Sequence, residues 1–323
     1  MKTRPVILDT DWYTDVDDVM AVRILINLHR QGICKILGVC LNACFDESAA
    51  SLDAFLRAHG VEVPVGIVSH WPDDPSGRKS PSYQTFLAQL PSKYRCNADA
   101  EPAVKFYRRL LATSSEKVTL LSIGFPENYA GLLASTPDEF SQLTGKELVR
   151  QKVERLYMMA GKWPVGSEYN LTGGEPVNPL VTQAGSAVLA QWPTPIIFLG
   201  FEVGATVLAG DQLPPHDLLR QTMDAYDRTP GYRLGGKAPQ FQGKGRERAH
   251  FCWDPLLILL GAGVVAHGTG MYDLVRGHAS SDPSTGANVF LEAPDGPHAY
   301  VVKNHPDDEY AKAVDQWLAP SDL

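Results

Sequence analysis

The sequence Val6-Ile7-Leu8-Asp9-Thr10-Asp11-Trp12-Tyr13-Thr14-Asp15-Val16-Asp17-Asp18 passes from a short apolar run directly into five aspartates. The apolar run predicts a buried strand. In parallel α/β sheets, ligands bind beyond the carboxyl ends of the strands, which is where Asp9 and Asp11 fall. Five like charges within this segment repel one another, and the N-terminus of a following helix offsets only part of that repulsion. A bound cation would resolve the conflict, so the segment predicts a metal site.

Two features of this cluster narrow the kind of metal. Oxygen ligands alone favour a hard ion, Ca²⁺ or Mg²⁺, over zinc. An EF-hand loop does not fit, because Tyr13 stands where the third ligand belongs and the required glycine and distal glutamate are missing. The alternative is structural: Asp15, Asp17 and Asp18 cap a helix, while the two earlier aspartates are solvated turn residues.

Short β-branched or apolar runs alternate with amphipathic stretches along the rest of the chain, which predicts an α/β fold with a mainly parallel, Rossmann-like central sheet flanked by helices. We expect a single domain over residues 1–323. The predicted strands cover residues 6–8, 36–41, 63–67, 118–123, 156–160, 195–199 and 299–302. The predicted helices cover residues 17–31, 48–59, 103–112, 128–134, 179–191, 254–260 and 307–317.

Composition excludes several classes of protein. The formal charge is −8 and no Lys/Arg run is long enough to follow a phosphate backbone, so nucleic-acid polymers are poor partners. No window approaches the ~20 apolar residues of a membrane span, and the N-terminal apolar run is too short for a signal peptide. The cysteines are odd in number and form no CxxC pair, which favours reduced thiols. We expect a soluble, cytoplasmic protein with no membrane partner.

Four blocks later in the chain resemble, together with Asp9 to Asp18, the inosine-uridine-preferring nucleoside hydrolase family. That family opens with a strand followed by an aspartate cluster of the type DTDxxxDxDD or DxDPGxDD. The further blocks keep the family's order and cover most of the chain: Leu41-Asn42, Leu120-Leu121-Ser122-Ile123-Gly124-Phe125-Pro126-Glu127-Asn128 in place of a TGPLTN-like turn, Ser167-Glu168-Tyr169-Asn170 in place of AEFN, and Cys252-Trp253-Asp254.

This resemblance implies the nucleoside hydrolase fold and hydrolysis of the N-glycosidic bond of a small-molecule riboside, in purine or pyrimidine salvage. It also implies one Ca²⁺ and a homodimer or homotetramer. Asp11 would accept a proton from the attacking water, which the cation activates. The implied metal ligands are Asp11, Asp18, the Ile123 carbonyl and Asp254. The implied sugar ligands are Asp17, Asn42, Glu168 and Asn170, with Asp9 and Asp15 supporting the loop.

The chain departs from the family pattern where the leaving base would lie. Many members carry a His before the last metal-ligand Asp, where this chain has Trp253, as in a subgroup with a Ser-Trp-Asp pattern. Lys162 stands near the place of a family Asn that contacts the 5′ end of the sugar. Trp163, Tyr232 and Trp253 are candidates to stack on a base. Residues 71–83 and 229–248 form loops that could close over the site or simply be flexible.

Two other functions stay open at the level of sequence. Asp9-Thr10-Asp11 after a strand is also the phosphoaspartate pattern of haloacid-dehalogenase-like phosphatases, although Tyr13 is unusual there and the run of three later aspartates has no role in that enzyme. The absence of the leaving-group His also allows a relative that binds a riboside without cleaving it.

Overall fold

The structure, a computed structural model, describes residues 3–13, 15–68, 81–228, 246–265 and 270–319. Its strands are β1 (Arg4–Thr10), β2 (Cys34–Leu41), β3 (Val65–Ile67), β4 (Glu101–Pro102), β5 (Val118–Ile123), β6 (Val153–Met159), β7 (Val165–Gly166), β8 (Ile196–Leu199), β9 (Leu208–Ala209), β10 (His250–Phe251), β11 (Tyr272–Ser281), β12 (Asn288–Glu292) and β13 (His298–Lys303).

The helices alternate with these strands. They are α1 (Asp17–Arg30), α2 (Ser48–Ala58), α3 (Ser82–Leu87), α4 (Ala103–Thr113), α5 (Glu127–Ala134), α6 (Gly145–Lys152), α7 (Tyr169–Thr172), α8 (Pro179–Gln191), α9 (Phe201–Gly204), α10 (Leu218–Tyr226), α11 (Trp253–Ala262) and α12 (Asp307–Leu318), with a 3₁₀ turn at Asn97–Asp99. The helices in the described ranges are too short or too polar to cross a bilayer.

The strands form one large sheet in the order β4-β3-β2-β1-β5-β6-β8-β13-β11-β12-β7. The pairs from β4 to β13 are parallel, whereas β11, β12 and β7 extend the sheet antiparallel. The expected mainly parallel α/β architecture is confirmed. The antiparallel extension was not predicted, and β9 with β10 forms a separate two-stranded pair.

Helices cover both faces of the sheet. Along β1 the side chains alternate, so that Val6 and Leu8 belong to one core and Ile7 to the other. Helices α1, α11 and α12 pack together on the first core, and α4, α5, α6 and α8 on the second. Because strands buried on both faces have no polar side, β1 and β5 consist mainly of apolar residues.

The register of the central strands brings their carboxyl ends to one level. Thr10 at the end of β1 lies opposite Leu41 of β2 and Ile123 of β5. The residues that follow these three strands therefore start from the same edge of the sheet. Gly124 permits the close approach there, since a Cβ on it would lie 2.6 Å from both the Asn42 Oδ1 and the Asp11 backbone nitrogen.

Candidate active site

The turn between β1 and α1 is sharp and is fixed by Trp12. This residue has a positive φ of 50°, unusual for a side chain other than glycine. Its indole Nε1 donates to Ser51 Oγ at 3.0 Å, and its carbonyl accepts from Gln84 Nε2 at 2.5 Å. The buried ring meets Tyr83 edge-on at 5.8 Å. Trp12 thus packs inward, and the residues on either side of it, Asp11 and Tyr13, line a cavity.

The aspartates of this turn are held by nearby hydrogen bonds. Asp18, at the start of α1, accepts from the Thr10 hydroxyl and, at 3.2 Å, from the backbone nitrogen of Trp12. Asp11 Oδ1 accepts from the Tyr13 backbone nitrogen at 2.9 Å. Asp15 Oδ1 accepts in the same way, at 2.9 Å, from Asp17. These bonds fix the carboxylates in place but supply no positive charge.

Helix α11 adds the last carboxylate. The backbone nitrogen of Asp254 donates to Asp17 Oδ2 at 3.1 Å, a contact between residues 237 positions apart in the chain. Carboxylate oxygens of Asp17, Asp18 and Asp254 lie within 4.8 Å of one another, and all three residues are buried. Asp11 interacts directly with Asp18, so it borders the same group.

Burial dominates the electrostatics of this cluster. It raises the pKa of Asp11, Asp17, Asp18 and Asp254 well above the usual value for aspartate, and the charges of the neighbouring aspartates raise these pKa values further. Within the described ranges these carboxylates have no basic partner. Buried carboxylates that repel one another are a donor set that suits a hard divalent cation. The residues present therefore fit a Ca²⁺ or Mg²⁺ site.

A second polar group lies beyond the end of β6. Glu168 caps α7, where its Oε1 accepts from the Asn170 backbone nitrogen at 2.8 Å and its Oε2 from Gly161 at 3.0 Å. The Asn170 side chain donates to the Met159 carbonyl at 2.9 Å. Burial raises the pKa of Glu168 to about 7. These bonds attach α7 to the end of β6 and keep both side chains at the wall of the cavity.

The cavity has a volume of about 370 Å³. Its mouth carries an aromatic pair: the rings of Phe201 and Trp253 stack at 5.4 Å with 26° between their planes, and Trp253 Nε1 donates to the Phe201 carbonyl at 2.7 Å. The lining consists of Asp11, Tyr13, Asp15, Asp17, Asp18, Ile123, Met159, Lys162, Ser167, Glu168, Tyr169, Asn170, Phe201, Trp253 and Asp254.

The structure thus brings together most of the residues singled out from the sequence. Phe201 was missed, because a lone phenylalanine after a strand carries no motif. The available signal was its position two residues beyond Leu199, which ends β8, at the same edge of the sheet.

Two predicted site residues lie outside the cavity lining, and a third is not among the described residues. The amide of Asn42 is fully buried, donates to Asp9 and accepts from the Phe125 backbone nitrogen at 3.0 Å, so it braces the floor of the site. Trp163 is a core residue rather than part of the cavity wall: its ring packs on Phe198 at 4.9 Å. Tyr232 falls outside the described residues, as do most of the two predicted loops at 71–83 and 229–248.

Asp9 also points away from the cavity. It is completely buried and accepts from the Tyr107 hydroxyl at 2.6 Å and Asn128 Nδ2 at 3.0 Å, and burial raises its pKa to about 6. A phosphatase of the haloacid dehalogenase type needs this residue exposed as its nucleophile. The phosphatase alternative is therefore wrong for this geometry, because the reacting oxygen is enclosed by protein.

Comparison with known proteins identifies solved structures that share the fold of this chain. No protein-family model matches the chain, and no curated protein matches it either. Among solved structures, the inosine-uridine preferring nucleoside hydrolase from Bacillus anthracis is 18% identical with a TM-score of 0.65, over 98% of this chain and 99% of that one. An inosine-guanosine nucleoside hydrolase is 12% identical with a TM-score of 0.62, over 98% of each chain.

A third similar structure is the type III effector protein XopQ complexed with adenosine diphosphate ribose. It is 15% identical with a TM-score of 0.65, over 98% of this chain and 93% of that one. At such identities the likeness concerns the fold, and it extends over nearly the whole of each chain. The chain shares its α/β fold with nucleoside hydrolases.

Proposed function

We propose that the chain is a Ca²⁺-dependent N-ribohydrolase, which releases the base from a ribonucleoside or a related riboside. The observation that carries this proposal is the convergence of buried carboxylates from two distant segments, the β1–α1 turn and the start of α11, in one cavity. That cavity also holds an aromatic pair at its mouth. The fold shared with nucleoside hydrolases supports the same conclusion.

The residues that would hold Ca²⁺ are Asp11, Asp18, Asp254 and the carbonyl of Ile123, all of which line the cavity. Asp17 is a further candidate ligand, since its carboxylate lies within 4.8 Å of those of Asp18 and Asp254. A bound Ca²⁺ would offset the repulsion among these groups and lower the pKa of a water molecule in contact with it.

The chain's own residues would then perform the proton transfer and stabilise the sugar. Asp11, fixed by the Tyr13 backbone nitrogen, would accept a proton from the attacking water. Cleavage of an N-glycosidic bond passes through an oxocarbenium-like sugar, which the surrounding carboxylates stabilise electrostatically. Asp17, Glu168 and Asn170 would bind the ribose hydroxyls.

The leaving base would occupy the mouth of the cavity. Phe201 is 40% exposed there and offers an aromatic face in contact with Trp253. A planar leaving group fits such a surface better than an aliphatic one. One of the similar structures is described as complexed with adenosine diphosphate ribose, which shows that a protein of this fold takes up a ribosyl compound.

The test is an assay of a purine and pyrimidine riboside panel for reducing sugar in the presence of Ca²⁺. We expect ribose release by the wild type and a rate about 10²–10⁴-fold lower for Asp11→Asn, the range typical of a lost general base. Asp46→Asn, at an exposed position outside the cavity lining, is the matched control and should keep full activity.

Two outcomes would contradict the proposal. If no riboside is cleaved although one binds, the chain is a riboside-binding relative without hydrolase activity. If Asp11→Asn cleaves as fast as the wild type, the assignment of the base is wrong.

A further inference from the structure

Lys162 is the single cationic side chain among the described residues that line the cavity. The same lining contains five aspartates and Glu168, and in so acidic a site a lysine usually pairs with a carboxylate. Among the described residues its ammonium forms no direct ion pair or hydrogen bond, and Glu202 is a carboxylate that its charge acts on from farther away. Its donors are therefore available to a ligand.

The backbone of Lys162 is held firmly. Its nitrogen donates to Asn288 Oδ1 at 3.0 Å, and its carbonyl accepts from Asn288 Nδ2 at 2.7 Å. Asn288 itself is completely buried. The stem of the lysine passes over Gly166, where a Cβ would lie 2.7 Å from the Lys162 Cβ. Gly166 belongs to β7 and Asn288 to β12, so these two strands hold the lysine beside the cavity.

The lysine and the carboxylate cluster lie on different parts of the cavity wall. Asp11 follows β1, whereas Lys162 follows β6, and β5 lies between these two strands. Neighbouring strands are about 4.8 Å apart, so the two strand ends are separated by about 10 Å. A ribose 5-phosphate could span this distance, with its 2′ and 3′ hydroxyls at the carboxylates and its phosphate at the lysine.

We propose that Lys162 recognises a phosphate on the 5′ carbon of the riboside, so that the preferred substrate is a phosphorylated riboside rather than the free nucleoside. This inference rests on the proposed function. The base occupies the aromatic mouth and the 2′ and 3′ hydroxyls face the carboxylates, which leaves the 5′ position as the attachment point nearest Lys162. An ammonium binds a phosphate as a compact point charge with three donors.

Isothermal titration calorimetry in the presence of Ca²⁺, with ribose and ribose 5-phosphate as probes, tests this inference directly. We expect the wild type to bind ribose 5-phosphate at least about tenfold more tightly than ribose, as for a charge-assisted hydrogen bond. Lys162→Met should remove this difference and leave ribose affinity unchanged, while Lys162→Arg should keep most of it. Lys312→Met, which removes an exposed charge on α12, is the matched control.

The inference is overturned if the wild type does not prefer ribose 5-phosphate, or if Lys162→Met weakens both sugars equally, as a structural role would. A parallel assay of base release from inosine and inosine 5′-monophosphate separates the two proposals. If neither compound is cleaved, the proposed function fails, while the calorimetry still decides the role of Lys162.

Discussion

At the scale of single residues, the sequence predicts the contiguous part of the site better than the residues that come from distant segments of the chain. The dense run of aspartates after β1 indicates a cation site without any structural information, because its charge density is visible along the chain. Asp254 lies 237 positions from Asp17, its hydrogen-bond partner, and was singled out only by resemblance to a known family. Phe201 belongs to no motif, and its position just after β8 is the one sequence signal that points to the site.

Removing one charge from the cluster should stabilise the metal-free protein. Burial, and after it the charges of Asp17, Asp18 and Asp11, raise the pKa of Asp254, and Asp254→Asn removes both the buried charge and this repulsion. We expect the free energy of unfolding without metal to rise by on the order of 1 kcal/mol, the usual size of a single stabilising substitution. Chemical denaturation in a chelator measures this change.

The control for that experiment is Asp295→Asn, at an exposed position outside the cavity lining, which should leave stability nearly unchanged. A lower free energy of unfolding for Asp254→Asn would show that the carboxylate stabilises the metal-free fold, contrary to the electrostatic argument.

Glu127, which lies outside the metal cluster, should make the free energy of unfolding depend on pH. Both of its carboxyl oxygens are buried, and no other described residue donates a hydrogen bond to them. Burial raises its pKa from 4.5 to about 8. Glu127 therefore binds its proton more tightly in the folded state than in the unfolded state. The stability that protonated Glu127 contributes is complete below pH 4.5 and is lost as the pH rises through about 8.

Glu127→Gln should abolish this loss and make the protein more stable than the wild type near pH 8 and above. Urea denaturation at several pH values measures the difference, with the exposed Glu154→Gln as control. Identical pH profiles for wild type and Glu127→Gln would contradict the prediction.

At the scale of elements, sequence periodicity located the long helices and the parallel strands other than the two-residue β4, but not the antiparallel extension. The central strands of the sheet are β1, β5, β6 and β8. They are mainly apolar because helices cover both of their faces. Strand β11 instead mixes charged residues with glycine and alternates weakly between buried and exposed positions. Its pairing with β12 and β13 depends on neighbours distant in sequence, which no local pattern encodes.

Strand β12 has a role in the site that follows from this pairing. Its first residue, Asn288, satisfies both backbone groups of Lys162. Both hydrogen bonds are part-buried, so we expect Asn288→Ala to cost about 0.5–1.5 kcal/mol for each bond lost. We expect a lower Tm together with weaker binding of ribose 5-phosphate, measured by thermal unfolding and calorimetry.

Asn304→Ala is the corresponding control, since Asn304 is exposed and its side chain bonds only to Asp273 among the described residues. If Asn288→Ala leaves both Tm and phosphate binding unchanged, β12 does not position the lysine.

At the scale of the whole molecule, the fold explains why the site lies where it does. Helices cover both faces of the parallel sheet, so a ligand can reach it only at the ends of its strands. The site lies at the carboxyl ends, where the start of α11 meets the turns after β1, β5, β6 and β8. The expected assembly into dimers or tetramers stays a prediction, as does the extent of a single domain. The architecture supplies a frame for the carboxylates, whose burial and mutual repulsion are both unfavourable in the metal-free protein.

The central claim is that these carboxylates form one divalent-metal site, and calorimetric titration of the metal-stripped protein with Ca²⁺ tests it most directly. We predict one Ca²⁺ per chain for the wild type, with binding reduced by at least about 100-fold in Asp18→Asn, since about 3 kcal/mol is typical of a lost partner at a buried charge. Absence of Ca²⁺ binding by the wild type, or undiminished binding by Asp18→Asn, would contradict the account.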